Sequence, residues 1–330
     1  LQTVFITGAT GFVGSHTARR LLELGWHVRA LVRRPDKPGL LPAGVDVVSG
    51  ELTQPHSYGN ALLGCDAVLH IAGLVKARRL SEYLAVNADG AQALAAAANQ
   101  HCPQAMFVLV SSQAAAGPAR NGVPLKETDP PRPVSWYGES KLQGEHRVEQ
   151  TFRGPWCVVR PSVVYGPGDP GVLELFRTIQ GGIAPVVAGG RTRVQLLAVE
   201  DLVQMLVAAL SRTDLAGRKL FAAGPVATTG ELIRFIAALR ARPARCVPVP
   251  AWAVRVAGMW ESVREQLTRT ARPFNRDKAR EMLQPDWLCD GDPLQEVAGL
   301  SDLCPWQDGI RALCRCYVAS SWLRTGVWAV

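Results

Sequence analysis

Along the first half of the chain, short runs of consecutive apolar residues alternate with stretches whose apolar positions recur at helical spacing. "TVFIT" (3–7) is a short β-rich run. Beyond a cluster of glycines comes "SHTARRLLELG", in which Ala18, Leu21 and Leu22 share a helical face and Gly25 is a natural stop. "HVRALV" (27–32) alternates like a strand, and "VDVVSG" (45–50) is another. "CDAVLHIAG" (65–73) and "AMFVLVSS" (105–112) read as buried strands, separated by an Ala-rich helix over 87–100. Strands that alternate with helices need crossovers, hence a parallel sheet with helices on both faces.

The second half is less regular. "PWCVVRPSVVYG" (155–166) carries a strand into the turn "GPGDPG", and 195–210 reads as a strand end running into a helix. Thr228, three residues before Glu231, forms a capping box at the head of "TTGELIRFIAALRA". From 243 to 330 proline, tryptophan and short helical patterns dominate. Within 249–267, Val256, Trp260, Val263 and Leu267 share one helical face, a stripe expected in the core or along an apolar pocket. The terminal "YVASSWLRTGVWAV" reads as a docked or frayed tail, with membrane contact as the alternative.

Composition narrows the class. A chain of 330 residues with 48% hydrophobic and 19% charged residues can bury a sizeable core. No apolar run reaches the roughly 18 residues of a membrane span, so no integral span is expected. The opening strand pattern shows no basic n-region or cleavage site, so no secretory signal is expected either. The eight cysteines include no CxxC, and the CxC of Cys314 and Cys316 lacks companions at metal-ligand spacing. Buried free thiols, no metal and a reducing cytoplasm follow as expectations. A net charge of +8 would suit nucleic acid or an acidic membrane surface, but the basic residues are dispersed with no Lys/Arg run beyond two, and an anionic small ligand explains local basic spots equally well, so no nucleic-acid partner is expected.

"TGATGFVG" (7–14) supplies such a ligand site. Placed between the first strand and the first helix, Gly8, Gly11 and Gly14 allow a tight turn, close approach to a pyrophosphate and helix–sheet packing. The expected architecture is therefore an α/β, doubly wound parallel sheet (a Rossmann fold) with a smaller C-terminal substrate lobe. Residues 1–166 read as the dinucleotide-binding core. Within 167–330, residues 194–224 return to that core, and 167–193 with 225–330 form the lobe. An acid at the end of the second strand would accept from the ribose hydroxyls of NAD, but Arg33 and Arg34 stand there and Asp36 comes late. Guanidinium groups match a 2′-phosphate, which predicts NADP(H) over NAD(H). Glu51, ending the third strand, is a candidate acceptor for the adenine amino group.

The chain strongly prefers arginine: of 36 basic residues only six are lysine. Yet Lys141 stands four residues after Tyr137, on the same helical face, in "SWYGESKLQGE". A phenol titrates near 10, and a neighbouring ammonium together with a positive nicotinamide would favour the phenolate. Lowering its pKa by about three units takes roughly 4 kcal/mol. A compact ammonium can reach the nicotinamide ribose hydroxyls while staying near the phenol, whereas a guanidinium fork is bulkier and differently aimed.

From residue 3 to about 225 the sequence resembles the extended branch of the short-chain dehydrogenase/reductase superfamily, the NAD-dependent epimerase/dehydratase superfamily. The resemblance is carried by the TGxxGxxG loop, "DAVLHIAG", "NADG" (87–90), "VSS" (110–112), YxxxK (137–141), "RPSVVYGPGD" (160–169) and "VEDL" (199–202). It implies that Ser112 holds the substrate oxygen, Tyr137 is the general acid/base, Lys141 its partner and Asn87 a supporting residue. For the cofactor it implies contacts from Gly8, Thr10, Gly11, Phe12, Val13, Gly14, Arg33, Arg34, Glu51, Leu52 and Ala72, with Tyr137 and Lys141 at the nicotinamide end.

Nucleotide-sugar enzymes of the branch usually carry an asparagine three residues before the Gly-Pro of "YGPG" and an arginine shortly before the "hVxDL" helix. Here Val163 and Val194 occupy those positions, with Arg193 beside the second, and Ala198 replaces the usual histidine. "RPS", "AAAGP" (114–118) and "VRALVRRP" look more like the 3β-hydroxysteroid dehydrogenase and dihydroflavonol reductase-like group. That group implies hydride transfer between nicotinamide and a carbonyl or alcohol carbon of an apolar or aromatic small molecule. An epimerase or dehydratase with tightly held NAD is the competing reading, and a non-catalytic dinucleotide-binding protein the third. A homodimer is one assembly open to such a chain.

Overall fold

The computed structural model describes residues 2–37, 39–268, 270–272 and 274–329. Strand β1 (Thr3–Thr7) feeds helix α1 (Phe12–Glu23), and β2 (His27–Val32) and β3 (Asp46–Ser49) follow. After β4 (Ala67–His70) the chain forms α2 (Leu80–Leu84), a wide π-turn over Ala85–Asp89, and α3 (Gly90–His101) without a break. The helix expected at 87 therefore begins about two turns earlier, at Leu80. Asn87 is not at its start but in the widened turn, where its side chain bonds outward to Leu74 and Ser140. Strand β5 (Met106–Val110), the short α4 (Gln113–Ala116), α5 (Trp136–Thr151) and β6 (Trp156–Pro161) complete the first half.

Beyond it lie β7 (Val163–Tyr165), α6 (Pro170–Gln180), β8 (Ile183–Val187), β9 (Arg193–Ala198), α7 (Val199–Leu210) and β10 (Lys219–Ala222). Next come β11 (Val226–Thr228), α8 (Thr229–Ala238), β12 (Arg245–Val249), α9 (Ala251–Thr268) and α10 (Arg276–Met282). The chain closes with β13 (Asp286–Trp287), α11 (Asp292–Val297) and α12 (Trp306–Ala319).

The main sheet has the order β10-β6-β5-β4-β1-β2-β3, with every pairing parallel. The chain winds outward from β1 to β3 and then returns to β4. That reversal leaves a crevice at the carboxyl ends of β1 and β4, where doubly wound sheets bind ligands. Strand residues alternate between two cores. Val4, Ile6, Leu69, Val108 and Val159 face α1 and α7, while Phe5, Val68, Phe107, Leu109 and Val158 face α3 and α5. Alanines at 91, 95 and 98 let α3 lie close to the sheet.

The second layer is built around β9, which pairs with β7, β11 and β13, and a separate pair joins β8 to β12. Its core collects Phe176, Tyr317 and Trp328, with ring centroids 5.6 and 5.2 Å from Phe176. The C-terminal stretch is thus docked: Leu323 and Trp328 are buried, and the Tyr317 hydroxyl donates to the Asp169 carbonyl at 2.7 Å. The capping box forms as expected, with Thr228 Oγ1 accepting from the Glu231 N–H at 3.1 Å and Glu231 accepting from the Thr228 N–H at 2.7 Å. All eight cysteines are free thiols, five of them buried.

Helix α9 departs from expectation. Val256, Trp260, Val263 and Leu267 do not enter the core; they are exposed and face outward. The inward residues are Val254, Gly258 and Glu265. Gly258 decides this, because a Cβ there would lie 2.8 Å from the Ala279 Cβ of α10.

One buried contact ties α5 to the sheet. Glu145, 0% exposed, takes a two-pronged bond from Arg160, 2% exposed, with Nε at 3.0 Å and Nη2 at 2.6 Å. Ser111 Oγ donates to the same carboxylate at 2.5 Å. Removing one partner of such a pair strands a buried charge. Arg160→Met is expected to lower stability by about 3–5 kcal/mol, read from urea unfolding. Adding Glu145→Gln should recover part of that loss; strictly additive losses would show that the pair is not coupled.

Candidate active site

At the switch-point crevice the backbone is crowded. Gly8 has φ +81°, and a Cβ on it would lie 2.7 Å from the Ala72 nitrogen. A Cβ on Gly14 would run into the Gly8 carbonyl. The loop closes through Gly11 N–H to Gly8 O at 3.0 Å, and α1 starts at Phe12 and Val13 with no side-chain cap and no acid in its first turn. Its orphan N–H groups face the crevice as an anion site. The Thr10 carbonyl accepts from the Leu40 N–H at 3.2 Å, which folds the segment after β2 over this loop. Within that segment Arg33 and Arg34 are exposed, and neither guanidinium bonds to protein among the described residues. Ala72 N–H donates to Thr7 Oγ1 at 3.2 Å. Beyond β3, the Glu51 N–H donates to Ser57 Oγ at 3.1 Å. The Leu52 side chain is buried, and its carbonyl accepts from the Tyr58 hydroxyl at 2.9 Å.

Four residues meet at the carboxyl end of β5. Ser112 caps α4, its Oγ accepting from the Ala114 N–H at 3.1 Å. Ser135 caps α5 by accepting from the Gly138 N–H at 3.0 Å. Gly138 lies so close to the Ala114 carbonyl that no Cβ fits, which brings Tyr137 against Ser112. One turn on, Lys141 Nζ donates to the Val110 carbonyl at 2.7 Å. Asn87 Oδ1 accepts from the Leu74 N–H at 2.7 Å, and its Nδ2 donates to the Leu74 carbonyl at 3.0 Å and to Ser140 Oγ at 2.9 Å. Gly73 separates Asn87 from the Lys141 ammonium; a Cβ there would be 3.1 Å from the one and 3.6 Å from the other.

The electrostatics differ from the sequence expectation in one respect. The Tyr137 phenol is pushed up to about 12, not down: burial dominates, the Ser112 hydrogen bond opposes it and the Glu281 carboxylate adds to it. Lys141 is lowered to about 8, again by burial, with Glu145 holding it up. Its ammonium donates to the Val110 carbonyl rather than to the phenol. His70 is lowered to about 3 by burial and by the Lys141 charge, so it is neutral, 2.7 Å through Nδ1 from Thr7 Oγ1.

Several contributors escaped the sequence reading. Ser111 and Arg160 lie inside quoted motifs and Glu145 lies one helical turn past Lys141, so spacing pointed to them, although partnership needed the fold. Asp277 and Glu281 gave no signal. They come from α10, where Asp277 accepts from the Trp136 N–H at 2.9 and 3.0 Å and Glu281 from Ser135 Oγ at 2.5 Å. A cleft of about 370 Å³ opens at this junction, lined by Pro133, Val134, Ser135, Trp136, Arg280 and Gln284.

A doubly wound parallel sheet with a glycine-rich turn at its switch point defines a dinucleotide-binding protein. More specifically, residues 4–223 match the NAD dependent epimerase/dehydratase family, and the chain belongs to it. It is an NAD(P)-dependent oxidoreductase of the extended short-chain dehydrogenase/reductase type. A ceramide reductase of Caulobacter vibrioides is 35% identical over 99% of this chain and 98% of its own length. A 3 beta-hydroxysteroid dehydrogenase/Delta 5-->4-isomerase of Mycobacterium tuberculosis is 31% identical over 58% of this chain and 55% of its own. In fold, the chain matches a dTDP-glucose 4,6-dehydratase of Streptomyces venezuelae solved with NAD, at a TM-score of 0.76, 20% identity and coverage of 98% and 99%.

The buried imidazole has a direct consequence. Unfolded, His70 takes up a proton near 6.5; folded, only near 3. Between those values the unfolded chain binds more protons, so this contribution is intact above about pH 6.5 and is lost as pH falls toward 3, by roughly 1.4 kcal/mol per unit. His70→Asn, which can still bond Thr7, is expected to flatten the loss of urea midpoint between pH 7 and pH 5. An unchanged slope would assign the acid sensitivity to other groups.

Proposed function

We propose that the protein is an NADPH-dependent reductase acting on a ketone in a long-chain lipid of the ceramide class. The observation that carries this is the convergence of Ser112, Tyr137 and Lys141 beside the switch-point crevice, in a chain similar over its whole length to a ceramide reductase. The glycine loop and the uncapped α1 fit a dinucleotide, which supplies hydride when bound. Ser112 Oγ donates to the substrate oxygen and orients the carbonyl. Tyr137 delivers the phenolic proton to that oxygen as it gains charge. Burial keeps the Tyr137 phenol in its protonated form, the form a proton donor needs. Lys141, held by the Val110 carbonyl one turn along, would bind the nicotinamide ribose hydroxyls, and Asn87 fixes the Gly73–Leu74 backbone beside it.

Two features favour a lipid over a nucleotide sugar. Val163 stands where an amide would hold the diphosphate, and the nearby Arg193 is already committed to Asp286, Nε to Oδ1 at 2.6 Å. The unpartnered Arg33 and Arg34 favour a 2′-phosphate on the adenosine ribose, hence NADP(H). Eight free thiols fit a reducing cytoplasm.

The purified protein is expected to oxidise NADPH with the ketone corresponding to a ceramide's secondary alcohol, and not with UDP-glucose. Tyr137→Phe should reduce turnover by about 10²-fold or more while NADPH still binds; undiminished turnover would remove Tyr137 from the chemistry. Arg33→Ala with Arg34→Ala is expected to weaken NADPH binding about tenfold or more, the scale of one or two charge-assisted bonds. NADH affinity, followed by fluorescence titration, should barely change. Equal losses for both cofactors would refute the 2′-phosphate role.

A further inference from the structure

Helix α9 is amphipathic in the inverted sense. Its inward side is partly polar: the Glu265 carboxylate accepts from the Arg272 N–H at 2.7 Å and from Asn275 Nδ2 at 3.4 Å, and Ser262 Oγ accepts from the Arg276 N–H at 3.0 Å. Its outward side carries Trp252, Val256, Met259, Trp260, Val263 and Leu267, exposed by 66, 58, 60, 65, 49 and 79%. At helical spacing these six fall within a sector about 100° wide, along a helix of about 27 Å. Scattered apolar exposure is ordinary, but a continuous row with two tryptophans is not.

We propose that this face docks the protein on an anionic phospholipid bilayer, α9 lying in the plane of the interface. Charge complementarity selects the occupant. Arg255 stands at one margin of the stripe and Arg264, paired with Glu261, at the other; Arg276 and Arg280 of α10 are exposed, and the whole chain carries +8. An apolar face with tryptophans, edged by arginines, matches a surface of acyl chains under anionic headgroups. A second copy of the chain matches it poorly. It would bring the same arginine margins, while the acids of α9 are turned inward: Glu265 is buried and Glu261 is bound to Arg264 and Arg272. No helix among the described residues is long and apolar enough to span a membrane.

The surface is one helix away from the candidate active site. Gly258 seats α9 on Ala279 of α10, and α10 binds Ser135 and Trp136, the two residues before Tyr137. Docking rests on the helix alone and is independent of the substrate reading.

The test is cosedimentation with vesicles of phosphatidylcholine alone and of an equal mixture with phosphatidylglycerol, in the absence of substrate. The expected result is binding to the mixed vesicles that weakens with added salt. Trp252→Ser, Trp260→Ser and Leu267→Ser together should weaken it at least tenfold, with circular dichroism and melting midpoint unchanged because these side chains are exposed. Arg255→Glu with Arg264→Glu should abolish the preference for anionic vesicles. The proposal is overturned by no vesicle binding, or by undiminished binding of the triple variant. It is equally overturned if light scattering shows a dimer that the triple variant dissociates, which would assign the face to a second copy.

Discussion

The desolvated pair of Glu145 and Arg160 is the constraint on which the candidate site rests. Two charges taken out of water are stabilising only when every lone pair and proton finds a partner. Here the carboxylate receives both prongs of the guanidinium and the Ser111 hydroxyl, and the guanidinium lies 5.6 Å above the Phe221 ring. These contacts fix the rotation and register of α5 against β5 and β6. One turn along, the same register delivers Lys141 to the Val110 carbonyl and Tyr137 to Ser112. The preference for lysine at 141 in an arginine-rich chain then has a local cause. The position is 5% exposed and its ammonium is directed at one carbonyl, whereas a guanidinium would bring five donors into a space that cannot satisfy them.

The lobe acts on the same helix from its other end. Asp277 and Glu281 place carboxylates at the N-terminus of α5, the end where negative charge is favoured by the helix dipole. Glu281 also opposes ionisation of Tyr137. Helix α5 is thus held by the sheet through its middle and by α10 through its first turn. Any movement of α10 alters both the position and the acidity of the phenol, which couples the least regular part of the chain to its chemistry.

How much of this was legible in the sequence follows from what each pattern encodes. Buried parallel strands are short apolar runs, and β1, β2 and the Thr228 capping box appeared where spacing placed them. The glycine loop was readable because its steric demand is absolute: no side chain fits at Gly14. Ser112, Tyr137 and Lys141 were readable mainly through the family resemblance, since a Tyr and a Lys four apart on one helical face carry little weight alone. The π-turn at Asn87 was not, since nothing in an Ala-rich run shows that one side chain will bond sideways and widen the helix. The direction of the phenol's shift was missed for a related reason. Spacing shows that a cation is one turn away, but not that burial of the phenol outweighs it or that the ammonium donates to the Val110 carbonyl.

The orientation of α9 exposes a more general limit. Periodicity shows which residues share a face and leaves open which face turns inward. Burying an apolar stripe is the favourable choice only if the rest of the chain offers a surface to meet it. Here the neighbour is α10, and Gly258 permits close approach on the opposite side while Glu265 finds its bonds there with Arg272 and Asn275. Turning the helix over would drive Trp252 and Trp260 into that tight contact and strip Glu265 of its partners. The exposed stripe is therefore the consequence of an inward packing that works, and the apolar surface left over is available to something outside the chain.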